Sequence, residues 1–270
     1  MTVINTNVNA LFSQNAMKVN NRALTGAMEQ LSTGQRINSA KDDAAGLAIT
    51  NTMTSNIRGM AQAVRNANDG IGMLQTAEGA MIEQTNMLQR MRELAVQAST
   101  ATYNTTQIGY LDTEFQALDT QIGNIAAQTT WNGDTLLTTT ATKSFVVGAA
   151  GTETIAVKLT YTTSTGLGTY SLSVSSTSNA ASAITAIDTA LASISSARAT
   201  IGAGINQLTY AADNLNNVIQ NTTASRSQIL DTDYAVTTTK LASAQIIAQA
   251  ATAMLAQANQ SQQGVLALLK

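Results

Sequence analysis

Apolar side chains recur at steps of three and four residues along most of the chain, and this spacing constrains the fold more than any other feature. Between residues 53 and 74 the steps are unbroken, and Met81 and Leu88 continue the seven-residue period. This spacing is typical of a helix that carries a coiled-coil seam. Proline, the residue that most strongly interrupts helices, is absent from the sequence. The pattern therefore predicts long, uninterrupted helices.

Two further helices are predicted from the same spacing. After a polar, threonine-rich break at 99–107, apolar steps resume over 108–125, and the resulting shorter helix is expected to fold back antiparallel on the first. A third, long helix is predicted over 184–219. The helices together favour an antiparallel, coiled-coil-like bundle, so the fold class is mainly α.

Between the second and third helices the apolar period changes from 3.5 to 2, which indicates strands. Trp131-Asn132-Gly133 is a turn signal, and a short apolar run follows at 145–147. Apolar and polar residues then alternate at 155–161 and again at 170–174. The sequence therefore predicts a small antiparallel sheet or β-hairpin region at about 140–176.

The two ends of the chain share a composition without charged residues. Residues 1–17 and 241–269 carry no charge, and both ends contain apolar stripes at helical spacing. We expect the ends to pair as a terminal coiled-coil domain of residues 1–44 with 235–270, discontinuous in sequence, beside a helical-bundle domain of 45–234. An isolated helix pair is only marginally stable, so its remaining apolar surface predicts contacts with other copies of the chain.

Self-assembly into an open-ended polymer is the resulting functional hypothesis. Charged residues make up only 11% of the chain, which limits repulsion between identical subunits that pack side by side. The subunit-interface candidates are the striped residues of the terminal helices. They are Ala10, Met17, Leu24, Leu31, Leu241, Ala248, Leu255, Ala258, Val265 and Leu269.

Composition argues against catalysis and against several classes of partner. The chain has no histidine and no cysteine, which excludes a Ser-His-Asp triad, a Cys-His pair, a histidine-bound zinc and disulfides. The tight carboxylate pairs, Asp42-Asp43 and Asp231 with Asp233, are interpreted as acids at helix starts. We therefore predict no catalytic, cofactor or metal site. The sequence shows no basic stripe for nucleic acid, no membrane-spanning apolar stretch and no cleavable signal peptide.

Specific motifs at both ends resemble those of bacterial flagellins. Residues 31–49, LSTGQRINSAKDDAAGLAI, look like that family's amino-terminal signature, and 65–80 and 88–97 are similar to its continuation. Residues 227–234 and 255–270 are similar to its carboxy-terminal signature. The resemblance covers roughly the first 135 residues and the stretch from 185 onward, so it spans most of the chain.

The resemblance implies an architecture and a function. In flagellins the paired termini form the inner tube of the filament, the long helices and a β-hairpin form the next shell, and variable outer domains are inserted in the middle. The short middle of this chain resembles a minimal flagellin without outer domains. The implied function is a structural subunit of the flagellar filament, the helical propeller for swimming, located outside the cell.

The resemblance also implies partners. They are other copies of the chain, an export chaperone on the carboxy-terminal segment, filament cap and hook-junction proteins, and the type III export apparatus, which needs no cleaved signal. Arg90, Leu94 and Glu114 match positions through which some flagellins are recognised by the flagellin-sensing Toll-like receptor of animal hosts. The chain departs from the usual pattern at 236–238, where an acid is expected, and at 261–262, where a proline is usual.

Three alternative functions are considered, and two of them stay open. A hook-filament junction protein shares the terminal resemblance but would match less well at 31–49 and at the carboxy end. A secreted enzyme with a metalloprotease insert is excluded by the absence of histidine. A monomeric binding module, such as an adhesin or immune ligand, would keep its activity after removal of residues 1–44 and 235–270.

Overall fold

A computed structural model of the chain describes residues 6–267, with side chains described to residue 261. The fold is mainly α, as predicted, with two small antiparallel two-stranded sheets. The helices are α1 (Val8–Thr33), α2 (Ala44–Ala98), α3 (Thr105–Gln128), α4 (Ser164–Leu167), α5 (Thr177–Leu230) and α6 (Tyr234–Ala267). The strands are β1 (Thr130–Trp131), β2 (Asp134–Thr135), β3 (Ala141–Val146) and β4 (Thr154–Leu159).

The chain divides into two compact units. The terminal unit comprises residues 1–55 and 221–270, and the central unit comprises 56–220. The terminal unit contains α1 and α6, and the central unit contains α3, the strands and α4. Both units are therefore built on helices, and among residues 6–267 all four strands lie in the central unit.

The central unit is an antiparallel bundle of α2, α3 and α5. Arg92 pairs with Asp188, and Glu78, four turns earlier on α2, pairs with Arg198 further along α5, so these two helices run in opposite directions. Gln84 of α2 donates a hydrogen bond from its side chain to the carbonyl of Ile122 on α3. Large apolar side chains from all three helices are fully buried in one continuous core. The apolar steps predicted from sequence thus form this core.

Helix α5 is longer than the predicted span of 184–219. It begins at Thr177 and continues to Leu230. At its start Ala180 and Ala183 are completely buried and extend the heptad period with small side chains. The predicted span began at the first large apolar residue, Ile184, and so omitted the start of the helix, where alanine continues the stripe.

The predicted β-hairpin is confirmed as β3 paired with β4, with Phe145 opposite Ile155. It packs on glycines of the long helices. A Cβ atom on Gly70 of α2 would lie 2.7 Å from the Phe145 ring, and one on Gly204 of α5 would lie 2.5 Å from Val157. The missing side chains at these two positions therefore allow the hairpin to lie against the bundle.

The predicted strand at 170–174 is wrong, so the sheet ends at Leu159 rather than near residue 176. Side chains of α3 bind this segment instead of a neighbouring strand. The carboxylate of Asp112 accepts a hydrogen bond from the Val174 N–H at 2.7 Å, and the amide of Gln116 donates to the Leu172 carbonyl. Because helix side chains satisfy these backbone groups, the alternating pattern does not produce a ladder.

The turn and the acidic pairs behave largely as predicted. Asn132 and Gly133 both have positive φ angles, 50° and 89°, and connect β1 to β2. Asp43 and Asp233 accept backbone N–H groups at the starts of α2 and α6, respectively. Asp42 instead accepts three bonds from Asn38 and Ser39 in the preceding loop.

One helix, α5, is long and apolar enough by composition to cross a bilayer, contrary to the sequence expectation that no such stretch exists. This is weak evidence, because core helices of other proteins meet the same criteria. The buried side chains of α5 lie in the core of the central unit. They are therefore already covered by protein.

Candidate assembly interface

Helices α1 and α6 pack against each other antiparallel along one seam. On each helix the least exposed residues alternate at steps of three and four, the spacing of a coiled coil. On α1 they are Ala10, Ser13, Met17, Asn20, Leu24, Ala27 and Leu31. On α6 they are Thr237, Leu241, Ala244, Ala248, Ala251, Leu255 and Ala258.

The predicted interface residues of both helices lie on this seam. Those within the described side chains, from Ala10 to Leu31 and from Leu241 to Ala258, are buried or half-buried. Val265 is in α6 but beyond the last described side chain, and Leu269 is outside the described residues. The seam residues thus join two helices of one chain, and contacts with other copies need a further set.

Three side-chain hydrogen bonds join the two helices in the observed alignment. The amide of Asn20, a side chain only 9% exposed, donates to the carbonyl of Ala244 at 2.8 Å. Asn7, which also caps α1, donates to the carbonyl of Ala258 at 3.1 Å. At the other end of α1, the hydroxyl of Tyr234 donates to the carbonyl of Leu31 at 2.8 Å. Because these side chains are polar, the apolar stripe in the sequence does not predict their place in the seam.

A second apolar set of the terminal unit lies outside the heptad positions of the seam and is exposed. Phe12 is the extreme case, with 77% of its surface exposed. The other members are Val8, Leu11, Val19, Met28, Val236, Ile246, Ile247 and Met254. We call these nine residues the outer apolar set. Large apolar side chains that lie outside the heptad positions are the sequence signal that would have identified them.

The outer apolar set gives the terminal unit a surface suited to association with protein. An exposed group of large apolar side chains on several helical faces marks an interaction surface. Among residues 6–33, the charged side chains are Lys18, Arg22 and Glu29, so little charge would have to be desolvated. Burying one large apolar side chain contributes roughly 1.5–3 kcal/mol.

The candidate receptor-recognition residues lie in the central unit and differ in exposure. The guanidinium of Arg90 binds the carboxylates of Glu93 at 3.0 Å and Glu114 at 2.9 Å, and these hydrogen bonds raise the pKa of Arg90. Arg90 and Glu114 are about half-exposed, whereas Leu94 is 1% exposed. Leu94 is therefore part of the core beneath the ion pair, and only the charged residues are available to a partner.

The described residues contain no group of three or more acidic, histidine or cysteine side chains able to hold a metal ion.

Comparison with protein families identifies both ends of the chain. Residues 4–142 match the bacterial flagellin N-terminal helical region. Residues 184–269 match the bacterial flagellin C-terminal helical region. The short stretch between the two matches contains β4 and α4, so there is no room for a large outer domain.

Relatives of similar length agree with these matches. The chain is 43% identical to a flagellin of Halalkalibacterium halodurans, over 99% of this chain and 100% of the relative. It is 38% identical to the flagellar filament core protein flaB2 of Brachyspira hyodysenteriae, again over 99% and 100%. The crystal structure of Bacillus cereus flagellin is similar at a TM-score of 0.51 and 33% identity, covering 56% of this chain and 88% of that one. The chain belongs to the bacterial flagellin family.

Proposed function

We propose that this protein is the structural subunit of a bacterial flagellar filament, the helical propeller used for swimming. The outer apolar set on α1 and α6 carries the proposal, because it supplies a surface for contacts between copies. Family membership and the names of the relatives, flagellin and filament core protein, support the same function. They do not favour the alternative of a hook-filament junction protein.

Assembly would proceed through residues 1–44 and 235–270 as the inner coiled-coil domain of the filament, with 45–234 as the bundle domain outside it. In a free subunit the α1–α6 pair is held by one small-residue seam, and ordering it costs roughly 1–2 kcal/mol of backbone entropy per residue. Burial of the outer apolar set between copies offsets this cost. The seam joins the helices of each copy, and the outer set joins the copies.

The remaining partners follow from this role. The filament is an extracellular appendage, so the chain must be exported, and we expect a chaperone to cover the uncharged carboxy-terminal segment before export. Cap and hook-junction proteins would contact the ends of the filament. A host Toll-like receptor would contact Arg90 and Glu114, which are exposed, while Leu94 would support that surface from the core.

Seeded assembly followed by electron microscopy tests the proposal. Purified full-length protein, mixed with short filament seeds and a precipitating salt, is expected to grow long tubes. The 45–234 fragment is expected to grow none, although circular dichroism should show that it remains helical. A folded full-length protein that forms no tubes under any seeded condition would contradict the filament function and favour a junction protein or a monomeric ligand.

A further inference from the structure

A polar contact joins the link after α1 to the link between α5 and α6. Gln35 and Asp231 form an isolated antiparallel bridge. On either side of it, the Arg36 N–H donates to the Leu230 carbonyl at 2.7 Å, and the Thr232 N–H donates to the Gly34 carbonyl at 3.0 Å. We call residues 34–36 and 229–232 the register clamp.

The side chain of Arg36 is the specific part of the register clamp. Its Nη2 and Nε both donate to the carbonyl of Ile229, at 2.7 and 3.2 Å. Ile229 is in the last turn of α5, where helix carbonyls lack a partner further along the helix and a positive charge is favoured. Arg36 therefore both caps α5 and attaches the end of α1 to it.

The apolar seam by itself does not determine how α1 and α6 align. The observed hydrogen bonds place Leu24 near Leu241 and Met17 near Ala248. A slip of one heptad would place Leu31 near Leu241 and Met17 near Leu255, so large side chains would still meet large ones. Asn20 would face Ala251 instead of Ala244, with another backbone carbonyl to bind.

The connection between α1 and α2 would also permit this slip. One heptad of helix rises about 10 Å. The link of residues 34–43 can span roughly 33 Å when fully extended, so it can absorb such a shift. Neither the seam nor the link therefore prevents slippage, whereas the register clamp does, because its backbone bonds exist in one alignment only.

We propose that the register clamp, through Arg36, sets the register of the α1–α6 pair and so makes every subunit present the same outer apolar set. This inference rests on the proposed filament function, since only a repeating lattice requires identical surfaces. In a slipped copy Phe12 and Met254 would shift by about 10 Å relative to each other. The outer apolar set of such a copy would not fit the surface of the next copy, so the filament would stop growing or would grow with altered contacts.

Disulfide trapping measures the register directly, because the chain has no native cysteine. Ala23 and Ser243 line the same groove beside the seam and are both exposed, so A23C with S243C reports the observed register. A23C with A250C reports a slip of one heptad. Each pair is oxidised in the soluble and in the assembled full-length protein, and intrachain disulfides are quantified by mass spectrometry of linked peptides.

With Arg36 present, the observed-register disulfide should form in large excess over the slipped one. R36A should shift the ratio of the two disulfides towards the slipped pair by about tenfold or more, as expected for loss of charge-assisted hydrogen bonds. R36K, which keeps the charge but not the two-nitrogen contact, should lie between. R22A, which removes an exposed arginine from α1, should leave the ratio unchanged.

An unchanged ratio in R36A would overturn the proposal, because it would show that the Arg36 side chain does not set the register. If R36A loses its helical content, R36K is used instead. A disulfide ratio in R36K equal to that of the Arg36-containing protein would then overturn the proposal. Failure of the Arg36-containing protein to form tubes would count against the filament function alone, since the disulfide ratio in the soluble protein still reports whether Arg36 sets the register.

Discussion

The central and terminal units have the same heptad spacing but bury their apolar residues to different degrees. In the central unit, large side chains such as Leu88, Phe115 and Ile187 are completely buried. In the helices of the terminal unit, the buried apolar residues are alanines, and the large apolar side chains are half-buried or exposed. A seam of equal regularity thus produces a closed core in one unit and an open surface in the other.

The number of elements around the seam explains this difference. Three helices and a hairpin enclose the apolar side chains of the central unit from several directions. A pair of helices can cover only one face of each member, so apolar residues outside the seam stay exposed. The central unit is therefore enclosed within one chain, and the contrast supports our proposal that other copies complete the terminal unit.

The largest expected effect is a loss of stability in the central core. Replacing Phe115, which is fully buried in α3, by alanine should lower the free energy of unfolding by about 3–5 kcal/mol. Denaturant unfolding of the full-length protein measures this change. Y110A, on the same helix but 71% exposed, should cost less than about 0.5 kcal/mol. Equal losses for the two variants would show that the central unit is not a closed core.

A smaller effect, on assembly rather than on folding, is expected in the terminal unit. F12S should leave the unfolding midpoint of the free subunit unchanged, because the side chain is 77% exposed. It should raise the critical concentration for filament growth roughly ten- to hundredfold. This factor corresponds to the free energy lost when one large apolar side chain is no longer buried between copies. Sedimentation of seeded samples measures that concentration.

The matched control for this variant is Q14S, which changes an exposed polar residue on the same helix. It should assemble like the parent protein. If F12S destabilised the free subunit as much as it weakened growth, Phe12 would belong to a core within one chain, and the contrast between the units would fail.

The smallest effect concerns an ion pair on the surface of the central unit. A hydrogen bond from Arg92 lowers the pKa of Asp188 below its ordinary value of 3.8. A lowered folded-state pKa stabilises the fold above pH 3.8, and this contribution is lost as the pH falls through the lowered pKa. The contribution is small and salt-sensitive because both side chains are about half-exposed.

Unfolding midpoints of the parent and D188N, compared at about pH 6 and about pH 2, test this prediction. At the higher pH the parent should be slightly more stable than D188N, and at the lower pH the two proteins should be equally stable. D213N, an exposed carboxyl change on the same helix, provides a control for the general loss of negative charge. A difference that persists unchanged at low pH would contradict the assigned role of the ion pair.

Local periodicity was enough to predict the long helices, the hairpin and the apolar stripes of the seam, because each depends on the spacing of neighbouring residues. It did not predict the four-residue helix α4. The prediction of a strand at 170–174 was wrong because the partners of this segment, Asp112 and Gln116, are distant in sequence. The register clamp joins residues nearly two hundred positions apart and has no local signal. The outer apolar set was not predicted for another reason. Its residues lie outside the heptad positions, and the heptad pattern was the only signal used for the interface.

Hydrogen–deuterium exchange of the free subunit and of the assembled filament tests most directly whether other copies complete the terminal unit. Backbone amides in the core of the central unit should be protected in both states. Amides of α1 and α6 should exchange quickly in the free subunit and become strongly protected in the filament. Equal protection of α1 and α6 in both states would show that the terminal pair is stable by itself and would contradict this account.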